Sequence, residues 1–388
     1  MTDSGGLRVA VVGCGYWGSK HVRVLHSTDG VDDVVLVDGN TDRLNSLTRG
    51  YPGAARFPNL EEALPYVDAV FIATPPTTHV PLALRAIAAG KHVLIEKPLA
   101  PTTAGARQLI EAAASAAVVL MVGHTFEYNP AVWKLRDLVR SQALGELYYL
   151  DSARLNLGLY QSDVNVILDL APHDVSIINH VLGESPVAVQ AWASRHAHPR
   201  FEDVAYLRLF YDDHRLSANI HVSWLDPCKV RRVTAVGSEK MAVYNDLASD
   251  ERIRILDKSV RRQVVENDDL TQPPMSYRYG DILSPYVASD EPLGIQDRHF
   301  VDCIRGGLRP ITDGANGLAV VEVLEAAQLS LELDRPVLLN ELGSPGIATG
   351  EVLNQPMSPT RPWLREHHPI GVDAGHRRVR VPAVGAMR

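Results

Sequence analysis

Hydrophobic and polar positions divide the chain into two regions with different periodicities. Between residues 7 and 120, short runs rich in β-branched residues alternate with longer stretches of helical character. The short runs predict strands at residues 8–12, 34–37, 69–73 and 92–95. The longer stretches predict helices around residues 19–26, 81–89 and 104–116. Strands that alternate with helices form a parallel sheet covered on both faces, so this region predicts a doubly wound α/β domain of the Rossmann type.

A period of two dominates after an amphipathic helical segment at residues 131–140. Alternating apolar and polar positions predict strands at residues 147–155, 187–194, 204–211, 216–224, 232–236, 241–244 and 252–256. Short polar turns at residues 211–214 and 237–240 are typical of antiparallel neighbours. The second region therefore predicts an α+β domain built on a largely antiparallel, open sheet.

Two stretches lack either periodicity. Residues 258–294 are rich in Asp, Pro, Ser and Tyr and predict a long surface excursion, followed by helices near residues 296–305 and 314–333. From Gly343 onward the chain is rich in proline, arginine and histidine, which predicts an extended arm. We expect an NAD-binding domain at residues 1–125, a substrate and oligomerisation domain at 126–342, and the arm at 343–388.

Composition narrows the class of protein. The hydrophobic fraction of 46% and the charged fraction of 22% are typical of a globular protein. The net charge is −8 and basic residues are not concentrated anywhere, so we expect no nucleic-acid partner. The longest apolar runs fall short of the about 20 residues that a membrane helix needs. Three scattered cysteines suggest neither disulfides nor a zinc site, and together these features predict a cytoplasmic protein without a membrane partner.

The first chemical signal is the pattern Gly13-x-Gly15-x-x-Gly18 between a predicted strand and a predicted helix. Gly13 permits a tight turn, Gly15 lets the backbone approach a pyrophosphate, and Gly18 lets the helix pack on the strand. Asp38 ends the second strand, 20 residues after Gly18. A carboxylate there hydrogen-bonds the adenosine ribose and repels a 2′-phosphate, which favours NAD over NADP. The alternative is a glycine-rich turn followed by a chance carboxylate.

The second signal is Glu96-Lys97-Pro98 at the end of an apolar strand. The carboxyl ends of parallel strands face the crevice in which such sheets bind ligands, and a lysine ammonium there can hydrogen-bond a reacting oxygen. The alternative is an ordinary surface ion pair at a strand end.

The third signal is Asp169-Leu-Ala-Pro-His173 at the start of an apolar helical run that ends at Gly183. Proline is tolerated in a first helical turn, so Asp169 and His173 are expected to bracket a helix amino terminus. Histidine exchanges protons near neutral pH, and a carboxylate can orient it. An aspartate N-cap followed by an inert histidine explains this segment equally well.

These segments, together with Ala73-Thr-Pro-Pro-Thr-Thr-His79, follow one another in the order and spacing of a known family. The chain resembles the Gfo/Idh/MocA oxidoreductases, the glucose-fructose oxidoreductase and inositol dehydrogenase group, over roughly residues 7–340. Residues 123–130 and 154–165 look most like the branch that acts on nucleotide-linked or antibiotic-related sugars. The arm after residue 342 departs from the family pattern.

The resemblance implies a set of site residues. The implied catalytic residues are Lys97, Asp169 and His173. The implied cofactor-binding residues are Gly13, Gly15, Tyr16, Trp17, Gly18, Asp38, Thr74, Pro75, His79, Glu96 and Lys97. The expected substrate-side residues are Tyr128, Arg154, Asn156, Tyr160, Gln161, Asp163, Asn165 and His173, since hydroxyl-rich ligands need many directional partners. About half of this last set can equally be ordinary loop or strand residues.

The predicted activity is NAD-dependent oxidation of a ring secondary hydroxyl, at C3, of a sugar, nucleotide sugar or aminoglycoside to a ketone, in amino-sugar or antibiotic biosynthesis. The predicted partners are the carbohydrate substrate, a pathway aminotransferase, and further copies of the chain in a homodimer or homotetramer. The alternatives are redox-neutral glycoside cleavage with NAD, an inositol or cyclitol dehydrogenase, and a non-catalytic NAD sensor.

The remaining candidates carry weaker signals. His196-x-His198 and His367-His368 lack a carboxylate or cysteine partner at the spacing of a metal site, so we expect no metal. Trp192 and Trp224 are more simply explained by packing than by a cofactor site.

Overall fold

A parallel sheet of six strands forms the first part of the molecule. The computed structural model describes residues 5–342 apart from 159, 162–163, 198 and 263–274, so Asp163, His198 and the predicted arm lie outside the described residues. The strands are β1 (Leu7–Val12), β2 (Val31–Val37), β3 (Arg56–Phe57), β4 (Ala69–Ile72), β5 (His92–Glu96) and β6 (Leu120–Gly123). Their order, β3-β2-β1-β4-β5-β6, is that of a doubly wound dinucleotide-binding sheet.

Helices cover both faces of this sheet. They are α1 (Tyr16–Leu25), α2 (Thr41–Thr48), α3 (Leu60–Ala63), α4 (His79–Ala88) and α5 (Thr103–Ser115). Two clusters of buried residues lie on opposite sides of the strands, one containing Val12 and Ile95 and the other containing Val11 and Leu94. Because successive strand residues point to opposite faces, strands buried on both faces must be almost continuously apolar. This explains the short, uninterrupted apolar runs in this region.

A mixed sheet of nine strands forms the second part, after α6 (Pro130–Arg140). Its strands are β7 (Leu147–Leu157), β8 (Ala188–Ser194), β9 (Val204–Phe210), β10 (Ser217–Ser223), β11 (Leu225–Gly237), β12 (Met241–Asn245), β13 (Ile253–Arg262), β14 (Met275–Leu283) and β15 (Val337–Leu338). The order is β14-β13-β12-β11-β7-β10-β9-β8-β15. Only β7 and β10 pair in parallel within the described part of this sheet, so the predicted largely antiparallel sheet is confirmed.

Three further helices connect the two parts. They are α7 (Val166–Leu182), α8 (Pro292–Gly306) and α9 (Gly314–Leu333). Helix α7 packs on β10 and β7, α8 packs on α1, and α9 contacts both β8 of the second sheet and β6 of the first. Val321 of α9 belongs to a core cluster of the first sheet. The chain therefore returns to its amino-terminal part, and the expected division at residues 125 and 126 stays a prediction.

Two expectations about local structure are wrong. Residues 275–283, expected within a surface excursion, form strand β14 and pair with β13. Most side chains of β14 are exposed, so its sequence lacks the alternation of apolar and polar residues from which a strand is predicted. Helix α7 begins at Val166 and not at Asp169, with Asn165 as its N-cap and Pro172 in its interior. The proline removes one helical hydrogen bond, but most of this helix is buried, and tertiary packing outweighs that loss.

None of the helices among the described residues combines the length and apolar character needed to span a membrane.

The face of the second sheet opposite α7 presents exposed aromatic side chains. Strand register aligns Trp192, Tyr206 and His221 across β8, β9 and β10. The Tyr206 and His221 rings stack with centroids 4.0 Å apart, and Trp192 and Tyr206 remain 44% and 48% exposed. An exposed aromatic row of this kind is typical of a protein-protein contact surface. We therefore expect this open face to join copies of the chain.

Substitution of Tyr206 by Glu tests the expected dimer or tetramer. A buried, unpaired carboxylate opposes association, so Tyr206→Glu should shift the light-scattering mass toward the 42.5 kDa monomer. Tyr66→Glu makes the same change at an exposed position of the first part and should leave the mass unchanged. A wild-type monomer at micromolar concentration would contradict the expectation.

Candidate functional site

The turn between β1 and α1 is built for close backbone approach. Gly13 has φ +90°, a conformation that favours glycine, and it lies against Ala73 and Thr74 of the segment after β4. A Cβ on Gly18 would overlap the carbonyl oxygen of Gly13, so only glycine allows α1 to pack this closely on the turn. A Cβ on Gly15 would have no atom of the described residues within 4 Å other than its chain neighbours, because Gly15 borders open space there. The space beside Gly15 fits the pyrophosphate of a dinucleotide.

The amino terminus of α1 points into that space. Its N-cap is Gly15, no side chain in the described part of the chain caps its first amide groups, and its first turn contains no acidic residue. Free amide groups and the helix dipole attract an anion at such a position. Tyr16 and Trp17 are exposed there, with the ammonium of Lys20 over both rings. The residues present therefore fit the phosphates of NAD.

Asp38 lies directly after β2, beside the glycine turn. Its carboxylate accepts hydrogen bonds from the backbone amides of Cys14 (2.8 Å) and Asn40 (2.8 Å), which hold the side chain in place. Each oxygen keeps a lone pair for a ribose hydroxyl. The guanidinium of Arg43 lies 3.7 Å from the carboxylate and is largely exposed.

The segment after β4 is tied to the segment after β5. The ring nitrogens of His79 lie 2.9 Å from the carbonyl oxygens of Thr74 and Pro98. Burial lowers the pKa of His79, so the neutral ring donates to one carbonyl at a time. His79 therefore holds two loops together, while Thr74 is half-buried and Pro75 is exposed near the glycine turn.

Lys97 and Asp169 meet between the two sheets. Lys97 follows β5, and its ammonium donates a hydrogen bond of 2.7 Å to the backbone carbonyl of Asp169 in α7. The ammonium also lies 3.7 Å from the Asp169 carboxylate, and both side chains are mostly buried. Pro172 lies in the same helical stretch, where its missing N–H removes a hydrogen bond to the carbonyl of the residue just before Asp169.

His173 lies one helical turn beyond Asp169. Its Nδ1 atom is buried and has no hydrogen-bond partner among the described residues. Its ring meets the ring of Phe126 edge to face, with centroids 5.1 Å apart, and the guanidinium of Arg154 lies 4.6 Å from the centroid of the Phe126 ring. Burial, followed by the nearby charges of Lys97 and Arg154, holds the pKa of His173 well below its ordinary value. The imidazole is therefore neutral at neutral pH.

A second buried histidine borders the same place. His124 follows β6, and Gly123 pairs with Glu96 in the register of the sheet, so His124 and Lys97 leave neighbouring strands side by side. Neither ring nitrogen of His124 has a partner among the described residues, and burial lowers its pKa. The site thus contains two neutral imidazoles beside one ammonium. Glu96 itself is turned toward buried groups, since its carboxylate accepts from His21 at 3.0 Å.

Trp224, like His124, is a site residue that the sequence analysis did not identify. It is buried, as a packing role requires, but its indole Nε1–H also donates to the Asp169 carboxylate at 2.9 Å. The ring of Tyr160 lies 5.3 Å from the Trp224 ring. No sequence motif predicts this contact, because Trp224, which follows β10, and Asp169 of α7 come together only in the folded chain. Trp192, by contrast, lies on the open sheet face.

The other expected substrate-side residues are not all at the crevice. Tyr128 lies in the core, with its hydroxyl 3.1 Å from that of Thr312. Asn165 is buried and caps α7. Arg154 lies near the site but pairs with Asp174 at 2.7 Å. Strand alternation puts Asn156 on the same sheet face as Arg154, and Gln161 is partly exposed.

No group of three or more His, Cys, Asp or Glu residues within the described ranges is arranged to hold a metal ion. His196 instead pairs with the hydroxyl of Ser194 at 2.8 Å.

Comparisons with known proteins identify the family of the chain. Residues 7–124 match the oxidoreductase family with the NAD-binding Rossmann fold, and residues 132–243 match the GFO/IDH/MocA C-terminal domain. D-apiose dehydrogenase of Paraburkholderia graminis is 26% identical over 350 residues, which cover 86% of this chain and 90% of that protein. UDP-N-acetylglucosamine 3-dehydrogenase of Acidithiobacillus ferrooxidans is 34% identical over 186 residues, 48% of this chain and 57% of that enzyme.

Solved structures show the same architecture. GenD2 from gentamicin A biosynthesis, in complex with NAD, superposes with a TM-score of 0.72 at 29% identity, over 86% of this chain and 96% of its own. The UDP-N-acetylglucosamine 3-dehydrogenase GnnA superposes with a TM-score of 0.69 at 26% identity, over 84% of this chain and 98% of its own. The two family matches together cover more than half of the 388 residues. The chain therefore belongs to the GFO/IDH/MocA oxidoreductase family and is an NAD-binding enzyme.

Proposed function

We propose that this protein oxidises a ring secondary hydroxyl of a sugar, at C3, to a ketone. The observation that carries the proposal is the hydrogen bond of 2.7 Å from the Lys97 ammonium to the backbone carbonyl of Asp169. The buried, neutral imidazole of His173 lies one helical turn beyond Asp169. This cluster lies where the carboxyl end of an NAD-binding sheet faces a second sheet. Among similar proteins, one is a UDP-N-acetylglucosamine 3-dehydrogenase and one is a D-apiose dehydrogenase, which supports a sugar as substrate.

Each residue of the cluster has a distinct task in this reaction. NAD, held by the glycine turn and Asp38, supplies the hydride acceptor when it is bound. The Lys97 ammonium hydrogen-bonds the substrate oxygen and polarises its O–H bond. Neutral His173 accepts the hydroxyl proton, as its lowered pKa leaves a nitrogen lone pair available at neutral pH. Asp169, held by Trp224, orients Lys97 and balances its charge.

Internal pairing of charges argues for a neutral sugar ring at the reacting centre. The guanidinium of Arg154, a candidate for an anionic substituent, is bonded to Asp174. The carboxylate of Glu127, a candidate for a cationic aminoglycoside, pairs with His180 at 3.2 Å and with Asn316 at 3.1 Å. Neither charge is available without breaking a buried pair, which is costly. Hydroxyls of the ring are then recognised by neutral groups, for which Asn156, Tyr160 and Gln161 are the candidates.

The product suggests a place in metabolism. A ring ketone is the substrate class of an aminotransferase, so the proposed reaction prepares a sugar for conversion to an amino sugar. The likeness to GenD2 from gentamicin A biosynthesis supports an antibiotic pathway as the setting.

A substrate panel tests the proposal. Nucleotide sugars, free cyclitols and aminoglycoside pseudo-oligosaccharides are incubated with NAD, and NADH formation is followed by its absorbance. Borodeuteride trapping and mass spectrometry then locate the ketone, which we expect at C3 of a hexose ring. Oxidation of non-carbohydrate alcohols alone would refute the substrate class. Release of an aglycone without accumulation of NADH would identify redox-neutral glycoside cleavage instead.

Asp38 is predicted to set the preference for NADH over NADPH. Asp38→Ser removes the repulsion of a 2′-phosphate and frees Arg43 to pair with that phosphate, so the preference should narrow about 10-fold or more. Fluorescence titration with both cofactors measures the change. The double variant Asp38→Ser/Arg43→Ala should gain less NADPH affinity than Asp38→Ser, because it lacks the guanidinium that pairs with the 2′-phosphate. Tighter binding of NADPH than of NADH by the wild type would contradict the assignment.

Lys97→Ala and His173→Ala are predicted to lower turnover by roughly 10²–10⁴ while NAD binding stays nearly intact. Asp169→Asn should have a similar or milder effect. Trp224→Phe removes the indole N–H that donates to Asp169 and keeps an aromatic ring at this buried position, so a loss of about 10-fold is expected. Steady-state kinetics and NADH titration measure both quantities.

Trp192→Phe is the matched control, because Trp192 lies on the open sheet face, away from the Lys97 cluster. The turnover of this variant should equal that of the wild type. Circular dichroism verifies that each variant is folded. Near-normal turnover of His173→Ala would remove His173 from the mechanism.

A further inference from the structure

Three titratable side chains that the proposed reaction does not use form a buried chain beside the site. His21 of α1 lies between Glu96 at the end of β5 and Asp297 of α8. Its Nε2 atom is 3.0 Å from the Glu96 carboxylate, and its Nδ1 atom is 2.9 Å from the Asp297 carboxylate. His21 and Asp297 are fully buried and Glu96 nearly so. We refer to these three residues as the His21 triad.

The triad is connected directly to Lys97. One oxygen of the Glu96 carboxylate faces His21, and the other accepts the backbone N–H of Lys97 at 3.2 Å. On the far side, Gln296 donates to Asp297 at 3.1 Å and accepts from the Thr125 hydroxyl at 2.8 Å. Four elements therefore converge on His21: the cofactor helix α1, the strand that carries Lys97, helix α8 and the segment after β6.

The two carboxylates determine the protonation state of His21. Both ring nitrogens of His21 face carboxylate oxygens, so the ring donates at both ends only when it is protonated. Burial opposes the charged ring, but Asp297 and Glu96 outweigh it and raise the pKa of His21 to about 10. The uncharged ring of Phe71 in β4 packs against the imidazole, with centroids 5.2 Å apart. At neutral pH the triad thus holds a cation between two carboxylates.

We propose that His21 is a positioning residue: its bonds to Asp297 and Glu96 fix the backbone of Lys97 relative to helix α1, and thereby align the acid-base cluster with the nicotinamide half of the cofactor site. The inference rests on the proposed role of Lys97 in the reaction. A histidine at this place does what no neutral side chain of its size can do, because it donates to two carboxylates in opposite directions. The same linkage makes the alignment depend on the protonation of one buried ring.

Asp297→Asn is the test, because it keeps the shape of the side chain and removes one of the two charges that hold the imidazolium. The pKa of His21 should then fall from about 10 toward its ordinary value, and the ring should lose its proton within the assay range. A raised pKa stabilises the fold below the unfolded value, and this contribution is lost as pH rises through the folded value. In the folded wild type the ring stays protonated up to about pH 10, so its contribution to stability declines throughout about pH 7–9. In folded Asp297→Asn the ring loses its proton within that interval, so the decline in stability is smaller.

Two measurements without substrate report the effect. The first is the anisotropy of bound NADH, which monitors the order of the nicotinamide, and the second is the melting temperature of the free protein. In Asp297→Asn the anisotropy should fall as pH rises from about 7 to 9, whereas that of the wild type should stay level. The melting temperature should fall less over this interval in Asp297→Asn than in the wild type, because the variant has less proton-linked stability to lose. Turnover of a substrate found in the panel should fall about 10-fold over the same interval, with little change in NADH affinity.

Two controls separate this mechanism from a general loss of stability. The double variant His21→Gln/Asp297→Asn has no titrating ring and no buried unpaired carboxylate at position 297, so its anisotropy should be reduced but independent of pH. Asp302→Asn makes the same chemical change at an exposed position of α8 and should behave as the wild type. A pH dependence that persists in the double variant would overturn the proposal.

The proposal also fails if Asp297→Asn lowers the melting temperature but leaves the anisotropy of bound NADH at the wild-type value at every pH. That result would assign the triad a purely structural role. Because both main measurements need no substrate, failure of the sugar-oxidation proposal would leave them interpretable.

Discussion

The hydrogen bond between the Lys97 ammonium and the Asp169 carbonyl joins the two sheets at the proposed reaction centre. Lys97 extends from the end of a parallel strand, and Asp169 belongs to a helix that lies on the second sheet. A mostly buried ammonium must be hydrogen-bonded, so its partner carbonyl constrains where α7 lies relative to β5. The position of His173, one turn further along α7, follows from the same constraint.

Pairing of buried charges determines what the crevice presents to a ligand. Arg154 is satisfied by Asp174, Glu127 by His180, and His21 by Glu96 and Asp297. Each pair avoids the cost of an isolated buried charge. Because the remaining imidazoles at the site are buried without a carboxylate partner within hydrogen-bonding distance among the described residues, His173 and His124 stay neutral. A proton acceptor is thereby available beside a fixed positive charge.

Periodicity was a reliable guide wherever burial was uniform along an element. Strands β1, β2, β4 and β5 of the first sheet, but not β3 and β6, were predicted close to their observed bounds, as was helix α9, because buried faces demand apolar residues at regular intervals. It failed for β14, whose side chains are exposed, and for the start of α7, where Pro172 suggested a first turn. In both cases contacts distant in sequence supply the stability that the local pattern lacks.

The sequence by itself determined the two-part architecture, the glycine turn with Asp38, and the residue types of the Lys97, Asp169 and His173 cluster. These features depend on local spacing, which a chain carries before it folds. Only the tertiary structure decided which charges neutralise each other, that Trp224 holds Asp169, and that Glu96 turns toward His21. Such contacts join residues tens or hundreds of positions apart, and a side chain chooses among many possible partners only when packing has fixed their distances and excluded water.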